Sequence, residues 1–175
     1  MKRFAAVQKV LGLLLMLFSF TMLPPALVSL IYGDGAGLPF IIAFAVILGV
    51  GLLIWLPVAR VTKDLRLRDG FLVVVLFWVV LGLSGALPFF ISPEPELSLT
   101  DSVFESMSGL TTTGATVILG IDELPHAMLW YRQQLQWLGG MGIIVLAVAV
   151  LPMLGVGGMQ LYRAETPGPM KDTKL

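Results

Sequence analysis

Ser108-Gly109-Leu110-Thr111-Thr112-Thr113-Gly114-Ala115-Thr116 is a short polar run between two long apolar segments, and the chemistry open to it is that of oxygen donors. Three consecutive β-branched threonines favour an extended backbone. The glycine after them permits a positive φ that can turn a carbonyl toward an axis. Extended backbone at membrane depth is tolerated only where protein buries it or where it lines a water-filled cavity. Rings of such carbonyls replace the hydration shell of an alkali cation.

The other reactive side chains form weaker patterns. Asp122, Glu123 and His126 lie close together, but a lone histidine without metal-ligand spacing or a nearby nucleophile is a poor catalytic or metal site. The chain reads as a non-enzyme without a cofactor. The glycine runs at 33–37 and 155–158 lack the strand–turn–helix setting and the Lys-Ser/Thr of phosphate loops. There is no cysteine, which excludes disulfides and thiolate chemistry. Zero net charge gives no reason to expect a nucleic-acid partner.

The elements that must position the threonine run are membrane helices. Hydrophobic residues make up 57% of the chain and charged ones 13%, against about 25% charged in soluble domains. No Asp, Glu, Lys or Arg falls in 10–33, 35–59, 70–93 or 133–162, and each gap exceeds the roughly 20 residues that span a bilayer core. The first apolar run is too long for a signal-peptide core, so a retained helix is expected. Spans at about 5–31 and 38–58 form a hairpin through the glycine-rich turn Tyr32-Gly33-Asp34-Gly35-Ala36-Gly37, with a kink at Pro24-Pro25. Lys2, Arg3 and Lys9 around the start of the first span, and Arg60, Lys63, Arg66 and Arg68 after the second, put both flanks in the cytoplasm. A third helix at 70–91 emerges outside, and from Ser92 to Pro125 there are six acids and no Lys or Arg. A fourth helix, 127–153, returns to Arg163, Lys171 and Lys174, so both termini are expected in the cytoplasm.

The external segment contains a short helix at 100–109, with capping boxes at Ser98–Asp101 or Ser102–Glu105 and a terminal glycine. About ten residues at 1.5 Å rise give roughly 15 Å, half a bilayer core. A half-helix dipping inward would direct its negative dipole end at the threonine run, where it favours a cation. The expected fold is an all-α polytopic membrane protein in which a helical hairpin precedes one potassium-channel-like repeat of helix, pore loop and helix.

Ser106-Met107-Ser108-Gly109-Leu110-Thr111-Thr112-Thr113-Gly114-Ala115-Thr116, together with Trp130-Tyr131-Arg132-Gln133-Gln134-Leu135-Gln136-Trp137-Leu138-Gly139-Gly140-Met141-Gly142, resembles the first pore repeat of membrane subunits in the Trk/Ktr/HKT superfamily of potassium-uptake systems. The resemblance implies residues 1–69 as hairpin and cytoplasmic loop and 70–163 as the repeat. Within the repeat it implies an outer helix at 70–91, a pore helix at 100–109, a filter at 111–116 and an inner helix at 127–153; 164–175 is a cytoplasmic linker. It implies potassium as the transported ion, lined by Thr112, Thr113, Gly114 and Ala115 with Thr111 and Thr116 flanking, in the bacterial inner membrane. It also implies as partners the lipid bilayer, the remaining pore repeats of the same polypeptide, a second copy in a homodimer, and a cytosolic nucleotide-binding regulatory subunit. The family carries four repeats and this sequence one, so it reads as a fragment or truncated product. The alternatives are a single-repeat subunit that tetramerises into a cation channel and a non-conducting membrane assembly fragment.

Two features of the last helix have a bland and a sharp reading. Gly139, Gly140 and Gly142 either allow close helix approach or bend the helix below the filter. Arg132, between Trp130, Tyr131 and Trp137 in an expected interfacial belt, either snorkels to headgroups or pairs with Glu105 or Asp122 to brace the filter.

Overall fold

The computed structural model describes residues 4–61 and 67–153. The basic residues Lys63 and Arg66, the glycines at 155–158 and the linker 164–175 lie outside the described residues. The chain divides into two compact units, Met1–Gly139 and Gly140–Leu175. The described part of the second unit, 140–153, is helical throughout.

Among the described residues the structure is all α, with no strand: α1 (Ala5–Phe20), α2 (Leu23–Tyr32), α3 (Gly37–Trp55), α4 (Leu67–Gly85), α5 (Leu87–Ile91), α6 (Leu99–Leu110) and α7 (His126–Met153). Among the described residues three stretches are long and apolar enough to cross a membrane, Ala5–Tyr32, Gly37–Val58 and Leu72–Ile91. Their outward faces carry Leu27, Leu30, Ile31, Leu38 and Leu53 in exposed positions, a surface suited to lipid or to further apolar helices rather than to water.

Proline sets the interruptions. Pro24 and Pro25 have no N–H to give the carbonyls four residues back, and the first span breaks one turn ahead of them. Thr21 N–H turns to Phe18 O and Met22 N–H to Ser19 O, both at 3.0 Å, and α2 restarts at Leu23. The same chemistry divides the outer helix expected at 70–91: Pro88 sits in the first turn of α5, and the chain breaks at Ala86. The single helix expected there is thus two, α4 and α5.

Small residues let the hairpin close. A Cβ on Gly12 would lie 2.8 Å from Trp55 Cβ, and one on Gly51 would lie 3.0 Å from Met16 N, so α1 and α3 approach nearly backbone to backbone. Leu15, Phe18 and Met22 join Phe40, Ala43 and Ile47 of α3, Leu81 and Phe89 of α4–α5, and Met128, Tyr131 and Leu135 of α7 in one buried core. Tyr131 stands at its centre, with Phe40 edge-on and Phe89 tilted, each at 5.2 Å between centroids. It is therefore fully buried and not part of an interfacial belt, whereas Trp130 and Trp137 beside it are exposed.

Candidate functional site

The threonine run is positioned by α6. Ser98 is its N-cap, accepting from the Asp101 N–H at 3.2 Å, so the first of the two possible capping boxes is the one used. The helix runs past Gly109 to Leu110. Gly109 does not terminate it; its missing side chain instead makes room for α7, since a Cβ there would lie 3.0 Å from Leu135 Cβ. Gly139 of α7 packs still more tightly, because a Cβ on it would overlap the Leu110 carbonyl. Of the two readings of the inner-helix glycines, close approach accounts for Gly139.

Beyond Leu110 the chain folds back on α6 through its amides. Thr112 N–H donates to Gly109 O at 2.9 Å, and the Ser108 carbonyl accepts from both Thr113 N–H at 3.0 Å and Gly114 N–H at 3.3 Å. In a trans peptide the N–H and the C=O of one plane point in opposite directions. Amides 112, 113 and 114 turned toward α6 therefore aim the carbonyls of Thr111, Thr112 and Thr113 away from it. Residues 111–117 are all exposed, in keeping with carbonyls turned away from α6. The turn requires positive φ at Thr112 (57°) and Gly114 (72°). A left-handed threonine was not foreseen, as β-branching favours extended backbone; two hydroxyl bonds accompany it, Thr111 Oγ1 to Met107 O at 2.8 Å and Thr111 Oγ1 to Thr113 Oγ1 at 2.9 Å.

Ala115 behaves differently, since its carbonyl accepts from the Ser108 hydroxyl at 2.6 Å and is turned back toward α6. The next residues are tied to a buried carboxylate. Glu105 Oε1 accepts from Thr116 Oγ1 at 2.6 Å and from Val117 N–H at 2.7 Å. Its other oxygen accepts from Arg132 Nε at 3.2 Å, with side-chain exposures of 2% for Glu105 and 10% for Arg132. Arg132 thus braces the segment and does not snorkel. Gln136, one turn on, has its side-chain nitrogen 3.6 Å from where a Cβ of Gly114 would stand. Asp122, Glu123 and His126 do not assemble into a metal-binding group; among the described residues no three such side chains converge.

Sequence reasoning missed the side chains that hold α7 from its other face. Asp34, in the glycine turn between α2 and α3, accepts from Ala127 N–H at the start of α7 at 3.0 Å and from Ala36 N–H at 3.0 Å, and also from the Ser29 hydroxyl. Burial works to raise its pKa, but these donors and the nearby His126 outweigh that, and the carboxyl lies below the ordinary aspartate value. The signal was present in the sequence, since Asp34 is the only charged residue between Lys9 and Arg60.

The chain matches the TrkH family, described as a cation transport protein, over residues 37–175. It is 64% identical over 173 residues to the Trk system potassium uptake protein TrkH of Vibrio parahaemolyticus, covering 99% of this chain and 36% of that protein. To the protein of the same name from Escherichia coli K12 it is 62% identical, covering 98% of this chain and 36% of the relative. The crystal structure of the potassium transporter TrkH from Vibrio parahaemolyticus superposes with a TM-score of 0.84 at 59% identity, covering 94% of this chain and 34% of that one. The chain therefore spans about a third of the length of these relatives.

Proposed function

We propose, from the premise that this chain belongs to the TrkH family of cation transport proteins, that residues 111–116 form one wall of a potassium filter and that the chain serves potassium uptake. Both relatives named above are potassium uptake proteins. The observation that carries the reading is the orientation of the threonine carbonyls: amides fastened to α6 leave Thr112 and Thr113 presenting oxygens to an open side. Thr112 and Thr113 supply ligands, Gly114 supplies the turn, and Thr111 and Thr116 flank. Ala115, with its oxygen engaged by Ser108, is the weakest member of the set. The C-terminal end of α6 adds the negative pole of its dipole.

In this reading residues 70–163 are one pore repeat, with α6 as a re-entrant pore helix and α7 as the inner helix, and residues 1–69 are a hairpin with a cytoplasmic loop. One wall does not enclose an ion, so the remaining repeats of the polypeptide complete the path. The setting is the bacterial inner membrane with both termini cytoplasmic, and the further partners are a second copy and a cytosolic nucleotide-binding regulatory subunit.

The test is Gly114→Ser in a polypeptide that supplies all repeats, expressed in a bacterium lacking its own potassium uptake. A side chain resists the positive φ by about 1–2 kcal/mol, enough to tilt carbonyls whose discrimination rests on small differences in coordination. Gly114→Ser is expected to impair uptake or lower the potassium-to-sodium ratio at matched membrane abundance. Thr112→Ala and Thr113→Ala keep the carbonyls and are milder. Parental uptake and selectivity in Gly114→Ser, with loss in Thr113→Ala, would replace backbone by side-chain coordination.

A further inference from the structure

The outer end of α7 is fastened on two faces. Arg132, Leu135 and Gly139 meet α6 and its following segment. On the other face, four contacts fall within nine residues. The His126 ring stacks on Tyr32 at 4.1 Å and 5°; Ala127 N–H donates to Asp34 at 3.0 Å. The Tyr131 hydroxyl donates to Gly85 O at 2.7 Å, and Gln134 Nε2 donates to Thr21 O at 2.7 Å. Residues 127, 131 and 134 recur at the four- and three-residue spacing of one helix face.

Two of the acceptors on this second face, the carbonyls of Thr21 and Gly85, lie at the helix breaks. Thr21 would give its carbonyl to residue 25 in an unbroken helix, and residue 25 is a proline without N–H. The carbonyl so freed is the one Gln134 takes. Gly85 is the last residue of α4, at the second break. The carboxylate of Asp34 satisfies one of the amides that a helix start leaves without an intrahelical acceptor, and its charge is favourable there. Pro24-Pro25 therefore does more than bend the first span, because the bend creates a docking point for the helix that carries Arg132.

We propose that the N-terminal hairpin is an external clamp on the filter, with Asp34 and Gln134 as positioning residues that fix the rotation of α7 and, through Arg132 and Glu105, the path of residues 116–117. This rests on the reading of 111–116 as the filter. The experiment places Asp34→Ala, Gln134→Leu and the pair in a polypeptide carrying all repeats and measures potassium and sodium uptake in competition at matched membrane abundance, beside Gly114→Ser. Each single change is expected to lower the potassium-to-sodium ratio by about three- to tenfold, within the range by which residues remote from a ligand modulate its binding. Asp34→Asn, which keeps an acceptor oxygen, should retain most of the ratio. A ratio unchanged in Asp34→Ala and Gln134→Leu while Gly114→Ser shifts it overturns the clamp and leaves the filter reading standing. A ratio unmoved in all three overturns the filter reading and the clamp with it. Should Asp34→Ala fail to accumulate, Gln134→Leu, apolar and similar in volume, carries the same expectation and the same refutation.

Discussion

Glu105 and Asp34 each hold a connecting segment against α7, and they are built differently. Glu105 is buried, ties Thr116 and Val117, and meets a full opposite charge in Arg132. Asp34 sits at a partly exposed turn and is satisfied by a hydroxyl and by the amides of Ala36 and Ala127. A charge withdrawn from water needs a counter-charge and its hydrogen bonds together, whereas one left near the surface is held by dipoles at a helix start. The contrast extends to the glycines. Gly139 is pressed on the Leu110 carbonyl, whereas an added Cβ on Gly49 of α3 meets nothing within 4 Å. The side of the molecule that carries residues 111–117 is tightly determined and the outer hairpin face is permissive.

The sharpest way to break this contrast is to strip the counter-charge. Arg132→Met leaves the Glu105 carboxylate buried and unpaired, a loss of about 3–5 kcal/mol, and membrane abundance should collapse. Glu105→Gln with Arg132→Met removes both charges and should recover part of it, since the amide oxygen still accepts from Thr116 and Val117. If Arg132→Met lost no more abundance than Asp34→Asn, the two carboxylates would not differ as argued. A smaller effect is expected at the glycines: Gly139→Ala should destabilise by about 1–3 kcal/mol through overpacking, read as a lower unfolding temperature in detergent. Gly49→Ala, in open space within a helix, should be neutral or stabilising by up to about 1 kcal/mol. Equal shifts at the two sites would remove the distinction between the faces.

What the sequence made legible follows the same divide. Charge-free runs located the apolar helices, because a bilayer core excludes charge over a fixed length. A serine cap and Asp101 in the first turn located α6, because those groups act within a few residues. The arrangement within 111–116 was only half legible: a positive φ at Gly114 follows from residue type, but the one at Thr112 is imposed by the turn that sends two successive amides to Ser108 O. Pairings across long separations were least legible. Glu105 with Arg132 was one of several options, and neither Gln134 to Thr21 nor Tyr131 to Gly85 was foreseen. Each acceptor is a carbonyl at a helix break, and sequence spacing does not show which side chain will stand opposite.

The Ser108 hydroxyl offers a finer cut on the side that carries residues 111–117. Ser108→Ala removes its bond to Ala115 O at about 0.5–1.5 kcal/mol, leaves the backbone bonds of Thr113 and Gly114 in place, and should lower potassium uptake modestly without collapse of abundance. A loss as large as that of Arg132→Met would mean that side-chain bonds, not amides, set the carbonyl directions.

The smallest effect at neutral pH belongs to the hairpin side. Burial opposes the Asp34 charge, but Ser29, the Ala127 and Ala36 amides and His126 prevail and depress the carboxyl. A group depressed in the folded state stabilises fully above its unfolded value, about 3.9 for aspartate, and that contribution is lost as pH falls through the folded value. The Ala127 contact should therefore hold from pH 8 down to about 5 and loosen only below about 4. Because the chain has no cysteine, labelling of Ala36→Cys, at a position buried in the turn, can follow it: with a pyridyl disulfide, which reacts with thiols at acid pH, accessibility should rise only for the most acidic samples. Asp34→Asn should abolish that acid-dependent rise. A rise that survives in Asp34→Asn would take the control away from the Asp34 carboxyl and dissolve the parallel between the two carboxylates.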